Sequence, residues 1–355
     1  MASSRIGFVT GIESVWRHHL VAAKQGVHYL SGGLTPDVYA LPRFLGNSRT
    51  FIRTGKSIDR GAFDLIFSEL NAGDAQLAFL ESLVAAQPPP VAVLPGPPEI
   101  LTRRLSDARL RAVRQILRGA HRVLVYAPEL ARFYDGLMGE PRARVVPWPF
   151  DYAAVRDLGR APAGQPDRTG AIHVLLNVPL RFTGVAQNHP FVLKAALLDA
   201  MAPLPAADRE RLRFHTFVYE DGDRKAFDET RFAHGLSIAL EPRRPYGAFV
   251  RFLASCDAVV NITASSVLGR VTFLAAALGK PGLFSANAHL NTELYPSATV
   301  PQLEPGTLRD GLSGLIRGVL AGETPPAFMP DDAAARRVGD FAANAATFRR
   351  LVFES

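Results

Sequence analysis

The residues best suited to chemistry follow a predicted buried strand at 258–262 and open the helix after it. They combine two hydroxyls, a glycine and an arginine: Ser265, Ser266, Gly269 and Arg270. At the carboxyl edge of a parallel sheet, the free N–H groups of a helix N-terminus attract an anion. The arginine suits phosphate, and the glycine lets a backbone approach closely. The pattern predicts a diphosphate site, with an ordinary strand-to-helix turn as the alternative.

Two series of strands alternating with helices position these residues, and their near-continuous apolar runs are typical of parallel strands covered on both faces. The first series is predicted at 6–11, 64–70, 91–95, 123–127 and 144–147. The second series is predicted at 172–178, 213–219, 236–240, 258–262 and 282–285. A segment rich in Pro, Gly and charge at 160–170 separates them. The sequence predicts two α/β domains, 1–160 and 171–330.

The tail at 331–355 is predicted as a helix because apolar residues recur at helical spacing. They are Val338, Phe341, Ala345, Phe348 and Leu351. The sequence contains no recognisable internal repeat.

Composition excludes several classes of protein. The chain has 355 residues, 48% hydrophobic and 21% charged, which suits a folded two-domain protein. No run approaches the ~18 apolar residues of a membrane-spanning helix. The lone Cys256 excludes an internal disulfide and a CxxC metal site. We expect a cytoplasmic protein.

The net charge of +7 is uneven along the chain. Residues 1–165 hold 20 Lys and Arg against 14 Asp and Glu, whereas the remainder holds 20 against 19. Such an excess attracts an anionic partner such as a glycan, a lipid surface or DNA. The alternative is a genome that favours Arg codons, since 35 of the 40 basic residues are Arg.

The arrangement resembles the GT-B glycosyltransferases, in which a nucleotide-sugar lies between two Rossmann-like halves. PWPFD at 147–151 resembles the Pro-x-x-x-Asp turn that leaves the first domain. Residues 246–260 resemble the helix and strand before the donor loop, and 269–281 resemble the donor-binding helix. The resemblance covers nearly the whole chain. It implies an interdomain cleft, a nucleotide-sugar co-substrate, and a C-terminal helix packing back toward the N-terminal domain.

Two subgroups of that family differ from this chain at their glutamates. Retaining members of the glycogen-synthase-like group carry two glutamates across the donor loop, where this chain has Ser266 and Leu274. Phage DNA β-glucosyltransferases place diphosphate-binding arginines where this chain has Arg181 and Arg270. Their ribose-binding glutamate corresponds to Phe273. The sequence therefore leaves open whether transfer retains or inverts the configuration at the anomeric carbon.

Arg181 follows the predicted strand at 172–178, again at a carboxyl edge. Together with Arg270 it would stabilise the charge that grows on a leaving diphosphate, without a metal ion. A salt bridge is its alternative role. The neighbouring Gln-Asn-His at 187–189 is a weaker candidate for contact with sugar or phosphate. Asp-Gly-Asp at 221–223 is interpreted as an acidic turn, and no metal site is predicted.

An inverting transferase needs a carboxylate or imidazole aimed at the acceptor hydroxyl. Glu99 is the first candidate because it follows a predicted strand where the chain breaks into a loop. Glu69, at the end of another strand, and His18, in a helical stretch, are the other candidates. A structural role is the alternative for each. Gly11 follows the first strand and would let the backbone approach donor or acceptor, although no dinucleotide fingerprint surrounds it.

Residues 101–122 form a basic amphipathic pattern. Its core-facing residues are Leu110, Val113 and Leu117, and its arginines are Arg104, Arg111, Arg114 and Arg118. That surface could contact a phosphate backbone or an anionic membrane, or be merely solvated. No aromatic residues are interleaved to stack bases.

These observations predict a cytoplasmic, metal-independent glycosyltransferase with peripheral contact to the inner membrane surface as an option. It would move a sugar from a UDP-sugar or another nucleotide-sugar to a hydroxyl, without a further cofactor. The expected acceptor is a surface glycan or a lipid-linked glycan. The alternatives are a hydroxylated DNA base, a non-catalytic GT-B-like binding module and a sugar epimerase.

Overall fold

A computed structural model of the chain describes residues 5–10, 50–53, 58–70, 74–86, 88–96, 98, 106–160, 170–177, 190–218, 235–242, 244, 246–263, 269–301 and 303–353. Contacts divide the chain into two compact units. The chain passes from the first unit to the second between Phe150 and Asp151, and returns between Gly339 and Asp340. Each unit contains a parallel sheet, and the predicted α/β class is confirmed.

The first sheet has six parallel strands in the order β2-β1-β3-β4-β5-β6. They are β1 (Ile6–Thr10), β2 (Thr50–Arg53), β3 (Leu65–Leu70), β4 (Val91–Pro95), β5 (Arg122–Val125) and β6 (Ala143–Val145). Every residue of β4 is buried, as expected for a central strand covered on both faces.

The second sheet also has six parallel strands, in the order β12-β11-β10-β7-β8-β9. They are β7 (Ile172–Leu176), β8 (Leu212–Val218), β9 (Ile238–Pro242), β10 (Ala258–Asn261), β11 (Gly282–Ser285) and β12 (Thr299–Val300). The chain adds β8 and β9 on one side of β7 and then crosses to add β10 on the other, with Val260 opposite Leu176. The strand order therefore reverses between β7 and β10.

Helices connect the strands and pack on the sheets. They are α1 (Asp74–Ala85), α2 (Asp107–Gly119), α3 (Pro128–Met138), α4 (Tyr152–Arg160), α5 (Pro190–Met201), α6 (Ala206–Arg211), α7 (Tyr246–Ser255), α8 (Arg270–Ala277), α9 (His289–Leu294), α10 (Pro305–Ala321), α11 (Asp332–Val338) and α12 (Phe341–Phe353). Short 3-10 turns lie at Arg60–Ala62 and Pro326–Phe328. None of the helices in the described ranges is both long enough and apolar enough to span a bilayer.

Local sequence explains where the helices of the first unit begin and end. Ser106 precedes α2 and its Oγ accepts a hydrogen bond from the Arg109 amide, the usual N-cap interaction. Gly139 ends α3 with φ 83°, a left-handed conformation that glycine adopts without strain. The C-terminal helix α12 belongs to this unit, where buried Phe348 lies 6.2 Å from the ring of Phe67 in β3.

A continuous apolar core fills one face of the second sheet. It joins α5 and α10 to the central strands, with Leu197 and Leu312 packed in the same cluster as Val174 and Val260. Burial of such aliphatic side chains contributes about 1.5–3 kcal/mol each. This core fixes the strands whose carboxyl ends carry the candidate site.

The boundary between the units lies earlier than the predicted linker at 160–170. Helix α4, predicted within the first domain, belongs to the second unit. Its first residue explains this placement: the Tyr152 amide donates to the Gly339 carbonyl over 3.0 Å, and the Tyr152 hydroxyl donates to Asp332 Oδ1 over 2.6 Å. Arg156 also donates to the Ala277 carbonyl.

The tail predicted as one helix at 331–355 is two helices that belong to different units. The break is at Gly339, where a Cβ would lie 2.6 Å from Tyr152 Cβ and 2.7 Å from Phe273 Cζ. Asp331 and Asp340 then cap α11 and α12, because their carboxylates accept hydrogen bonds from the amides of Ala334 and Ala343. The chain therefore leaves the second unit at the glycine.

Candidate functional site

The carboxyl edge of the second sheet carries a polar contact at the point where the strand order reverses. Asn177 directly follows β7, and its amide donates to the Val260 carbonyl over 2.8 Å. Its side-chain Nδ2 donates to Asn261 Oδ1, at the end of β10, over 3.0 Å. In open α/β sheets this position outside the strand ends is where ligands bind. The Asn177 side chain is only half-buried and can face such a ligand.

A buried hydrogen-bond network extends from this contact to α8 and α9. Asn261 Nδ2 donates to Thr272 Oγ1 over 3.4 Å, and the Thr272 hydroxyl donates to Asn291 Oδ1 over 2.6 Å. Asn291 Nδ2 donates in turn to the Ser285 carbonyl over 2.8 Å. The Thr263 amide donates to Ser285 Oγ over 3.1 Å. All five residues are at most 2% exposed.

The five buried polar residues therefore form a hydrogen-bonded cluster inside an otherwise apolar unit. Such clusters are rigid, because the low local dielectric strengthens each bond and penalises any group left without one. None of these five residues was identified as functional from the sequence. Their only signal is that single Asn, Ser and Thr residues interrupt apolar strands and helices.

Gly269 and Arg270 lie together at the start of α8, as predicted. The structure gives Gly269 a packing role, because a Cβ there would lie 2.9 Å from Leu290 Cβ and 3.0 Å from Leu290 Cγ. The expected reason, close approach of the backbone to a ligand, is not needed to explain the glycine. Arg270 is half-buried at the first position of the helix, and its role as a phosphate ligand stays a prediction.

Two of the three positions at which the resembling subgroups carry glutamates, Phe273 and Leu274, belong to the apolar core of this unit, and the third, Ser266, lies outside the described residues. Phe273 is 1% exposed and its ring lies against Gly339, while Leu274 is 3% exposed. A carboxylate at either position would be buried among apolar atoms at high cost. The apolar residues at these two positions are therefore compatible with the local packing.

A second polar chain crosses the same sheet on β7, β8 and β9. His173 Nδ1 lies 2.9 Å from His215 Nε2, and His215 Nδ1 lies 2.9 Å from Glu241 Oε1. An ionised carboxylate only accepts, so the hydrogen bond between His215 and Glu241 is donated by His215 Nδ1. Arg244 Nη2 donates to the other oxygen, Glu241 Oε2, over 2.5 Å.

These contacts determine the titration of Glu241. The hydrogen bond from His215 lowers the pKa of the Glu241 carboxyl, burial opposes this, and the hydrogen bond and charge of Arg244 add to the lowering. Arg244 is itself held over the Phe252 ring, 4.7 Å from its centroid. Neither histidine was identified from the sequence, where each is a lone polar residue within an apolar strand.

Most of the other predicted site residues lie outside the described residues. These are Gly11, His18, Glu99, Arg181, Ser265 and Ser266, together with the segments 187–189 and 221–223. Glu69 lies in β3 opposite Leu94 of β4, and the structure describes its backbone only. The described part of the chain therefore brings together Gly269 and Arg270 from the predicted set.

The predicted basic surface of α2 is described only in part, because Arg104 lies outside the described residues. Arg109 forms an ion pair with Asp74 at 2.5 Å, and Arg118 donates two hydrogen bonds to the Met138 carbonyl. The latter contact ties α2 to the end of α3, while Arg118 stays exposed. Arg111 remains exposed, and the buried stripe consists of Val113, Ile116 and Leu117.

No protein-family model and no curated protein matches the sequence. Solved structures match over the full length. HepE from Anabaena, in complex with UDP and glucose, aligns over 98% of this chain and 99% of its own, with 15% identity and a TM-score of 0.65. A trehalose 6-phosphate synthase from Burkholderia multivorans covers 99% and 98%, with 12% identity and a TM-score of 0.61.

A sucrose-phosphate synthase from Thermosynechococcus elongatus covers 98% of this chain and 95% of its own, with 16% identity and a TM-score of 0.54. These proteins are GT-B glycosyltransferases. The chain has the GT-B fold. The family resemblance predicted for 246–260 is confirmed at the level of the fold, where these residues form α7 followed by β10.

The segment 269–281, which resembles the GT-B donor-binding helix, forms α8 and ends at Gly279 and Pro281. Gly279 has φ 66°, and its amide donates to the Ala276 carbonyl over 2.9 Å. The Lys280 amide donates to the Ala275 carbonyl, also over 2.9 Å. These bonds satisfy the last carbonyls of α8, and Pro281 then starts the path into β11.

Proposed function

We propose that the protein is a glycosyltransferase that takes its sugar from a UDP-linked donor. The observation that carries the proposal is the full-length similarity to HepE, whose structures hold UDP with glucose and UDP-glucose. The similarity leaves no large part of either chain unmatched. The second unit of this chain also offers chemistry suited to such a donor.

The donor diphosphate would bind at the carboxyl edge of the second sheet, beside Asn177 and the start of α8. Arg270 supplies a positive charge there, and a helix N-terminus is a favourable place for an anion. Arg181, which follows β7 in the sequence, is proposed as the second arginine. Both would stabilise the negative charge that develops on the departing UDP, the role that a metal ion has in other transferases.

The proposed acceptor is the hydroxyl of a sugar, in a surface glycan or a lipid-linked glycan. The named products of two structural neighbours, trehalose 6-phosphate and sucrose phosphate, support a sugar acceptor. The base that takes the acceptor proton would come from Glu99, Glu69 or His18.

Calorimetric titration of the purified protein with UDP, GDP and ADP tests the donor site. We expect UDP to bind with the highest affinity and Arg270→Ala to lower that affinity by about tenfold or more. Arg317→Ala removes an exposed arginine from α10 of the same unit and serves as a charge-matched control. Equal affinities in both variants would contradict the placement of the diphosphate at α8.

Release of UDP from UDP-glucose, measured with and without sugar acceptors, tests the transfer step. Acceptor-stimulated release that requires Arg270 would support the proposed reaction. A protein that binds duplex DNA in a salt-dependent way but binds no nucleoside diphosphate would instead be a binding module.

A further inference from the structure

Side chains of α9 hold the start of α8 from the side. The residue before the helix, Gly269, has no side chain to accept a hydrogen bond from the first-turn amides. Two consecutive residues of α9 contact this turn instead. Leu290 fills the space beside Gly269, and Asn291 accepts the hydrogen bond of Thr272, the third residue of α8.

Asn291, together with Ser285, also holds the chain where it leaves β10. The Thr263 amide donates to Ser285 Oγ, and the Ser285 carbonyl accepts from Asn291 Nδ2. Ser285 and Asn291 therefore connect Thr263, the second residue after β10, with the first turn of α8. The connection continues through Thr272 and Asn261 to Asn177.

We propose that Thr272 and Asn291 are positioning residues for the donor diphosphate. This inference rests on the proposed function. Thr272 is buried and lies two residues after Arg270, so it does not touch the diphosphate but fixes the helical turn from which Arg270 projects. The Asn261 end of the network fixes the Asn177 carboxamide in the same way. Displacement of a binding group by about 1 Å is enough to lower its contribution strongly.

The test compares Thr272→Val, which keeps the shape and removes the hydroxyl, with Thr272→Ser, which keeps the hydroxyl. We expect Thr272→Val to weaken UDP binding by about tenfold and Thr272→Ser to stay within about threefold of the unmodified protein. Ser255→Ala is the matched control. It removes another buried hydroxyl hydrogen bond, from Ser255 to the Phe252 carbonyl, at the end of α7 that precedes β10.

Hydrogen exchange without any nucleotide provides a readout that does not depend on donor binding. The Phe273 amide donates to the Gly269 carbonyl and reports on the first turn of α8. We expect faster exchange there in Thr272→Val, and unchanged exchange in Thr272→Ser and in Ser255→Ala. Unchanged exchange in Thr272→Val would overturn the anchoring role, whatever the nucleotide results.

The two proposals fail in different ways. If the unmodified protein binds no UDP, the proposed donor is wrong, while the exchange data still decide whether Thr272 anchors α8. If UDP binds with the same affinity to Thr272→Val as to the unmodified protein, the positioning role is overturned and the donor proposal stands. Weaker UDP binding in Thr272→Val and Ser255→Ala alike would indicate general destabilisation and would also overturn it.

Discussion

The side chain of Asn177 donates a hydrogen bond to that of Asn261 across the point where the strand order of the second sheet reverses. The two residues are 84 positions apart in the chain. Asn177 directly follows β7 and Asn261 is the last residue of β10, so the pair joins the carboxyl ends of these two strands. A polar pair at this place connects the framework of the sheet with the edge at which we propose that the donor binds.

Replacement of Asn261 by alanine is expected to destabilise the second unit. The change leaves the Asn177 amide without its acceptor and opens a gap beside Thr272, which should lower the free energy of unfolding by about 1–3 kcal/mol. Urea-induced unfolding measures the effect. Asn177→Ala should cost less, because Asn177 is half-buried and water can enter to hydrate Asn261. A larger loss in Asn177→Ala would contradict this account.

Gly269→Ala is expected to be destabilising because of Leu290 and not because of backbone conformation. The added methyl group would meet the Leu290 side chain, and such overpacking costs about 1–3 kcal/mol. A double-mutant cycle with Leu290→Ala provides the measurement. In the Leu290→Ala background the extra methyl should cost little, since its space is vacant. Additive losses in the double variant would show that another contact is responsible.

Much of the fold was predictable because its central strands are continuous apolar runs. The strands predicted at 91–95 and 282–285 coincide with β4 and β11, which are buried at every residue. By contrast, β2 and β12 were not predicted. Both are short edge strands, so their few residues carry no clear apolar pattern.

The candidate site was only partly predictable, because its contacts join distant parts of the chain. The strand-to-helix pattern indicated that Gly269 and Arg270 open a helix at a sheet edge. It did not show that Leu290 occupies the space beside Gly269, nor that Thr272 pairs with Asn291. These facts depend on how α8 packs against α9, which no local spacing reveals.

Cys256 is expected to be unreactive in the folded protein. Burial raises the pKa of its thiol to about 12, and the side chain is 1% exposed. The reactive thiolate is therefore scarce near neutral pH, and reagents have little access to it. Iodoacetamide treatment at about pH 8 followed by mass spectrometry should show slow labelling without urea and complete labelling in urea. Rapid labelling of the native protein would contradict the buried position.

Glu241 is expected to make the stability of the second unit depend on pH in the acid range. The hydrogen bond from His215, with that from Arg244, holds the pKa of the Glu241 carboxyl below its ordinary value of 4.5 despite burial. The folded protein therefore binds this proton less tightly than the unfolded chain. The resulting stabilisation is present above pH 4.5 and is lost as the pH falls through the lower folded pKa.

Glu241→Gln tests this dependence, because the amide keeps the shape of the side chain and does not titrate. The free energy of unfolding of the unmodified protein should exceed that of Glu241→Gln near neutral pH, and the difference should shrink between about pH 5 and pH 3. Urea unfolding at a series of pH values measures it. Glu323→Gln, at an exposed position, is the control and should show no such change. A difference between Glu241→Gln and the unmodified protein that stays constant with pH would mean that the His215 and Arg244 contacts do not lower the carboxyl pKa.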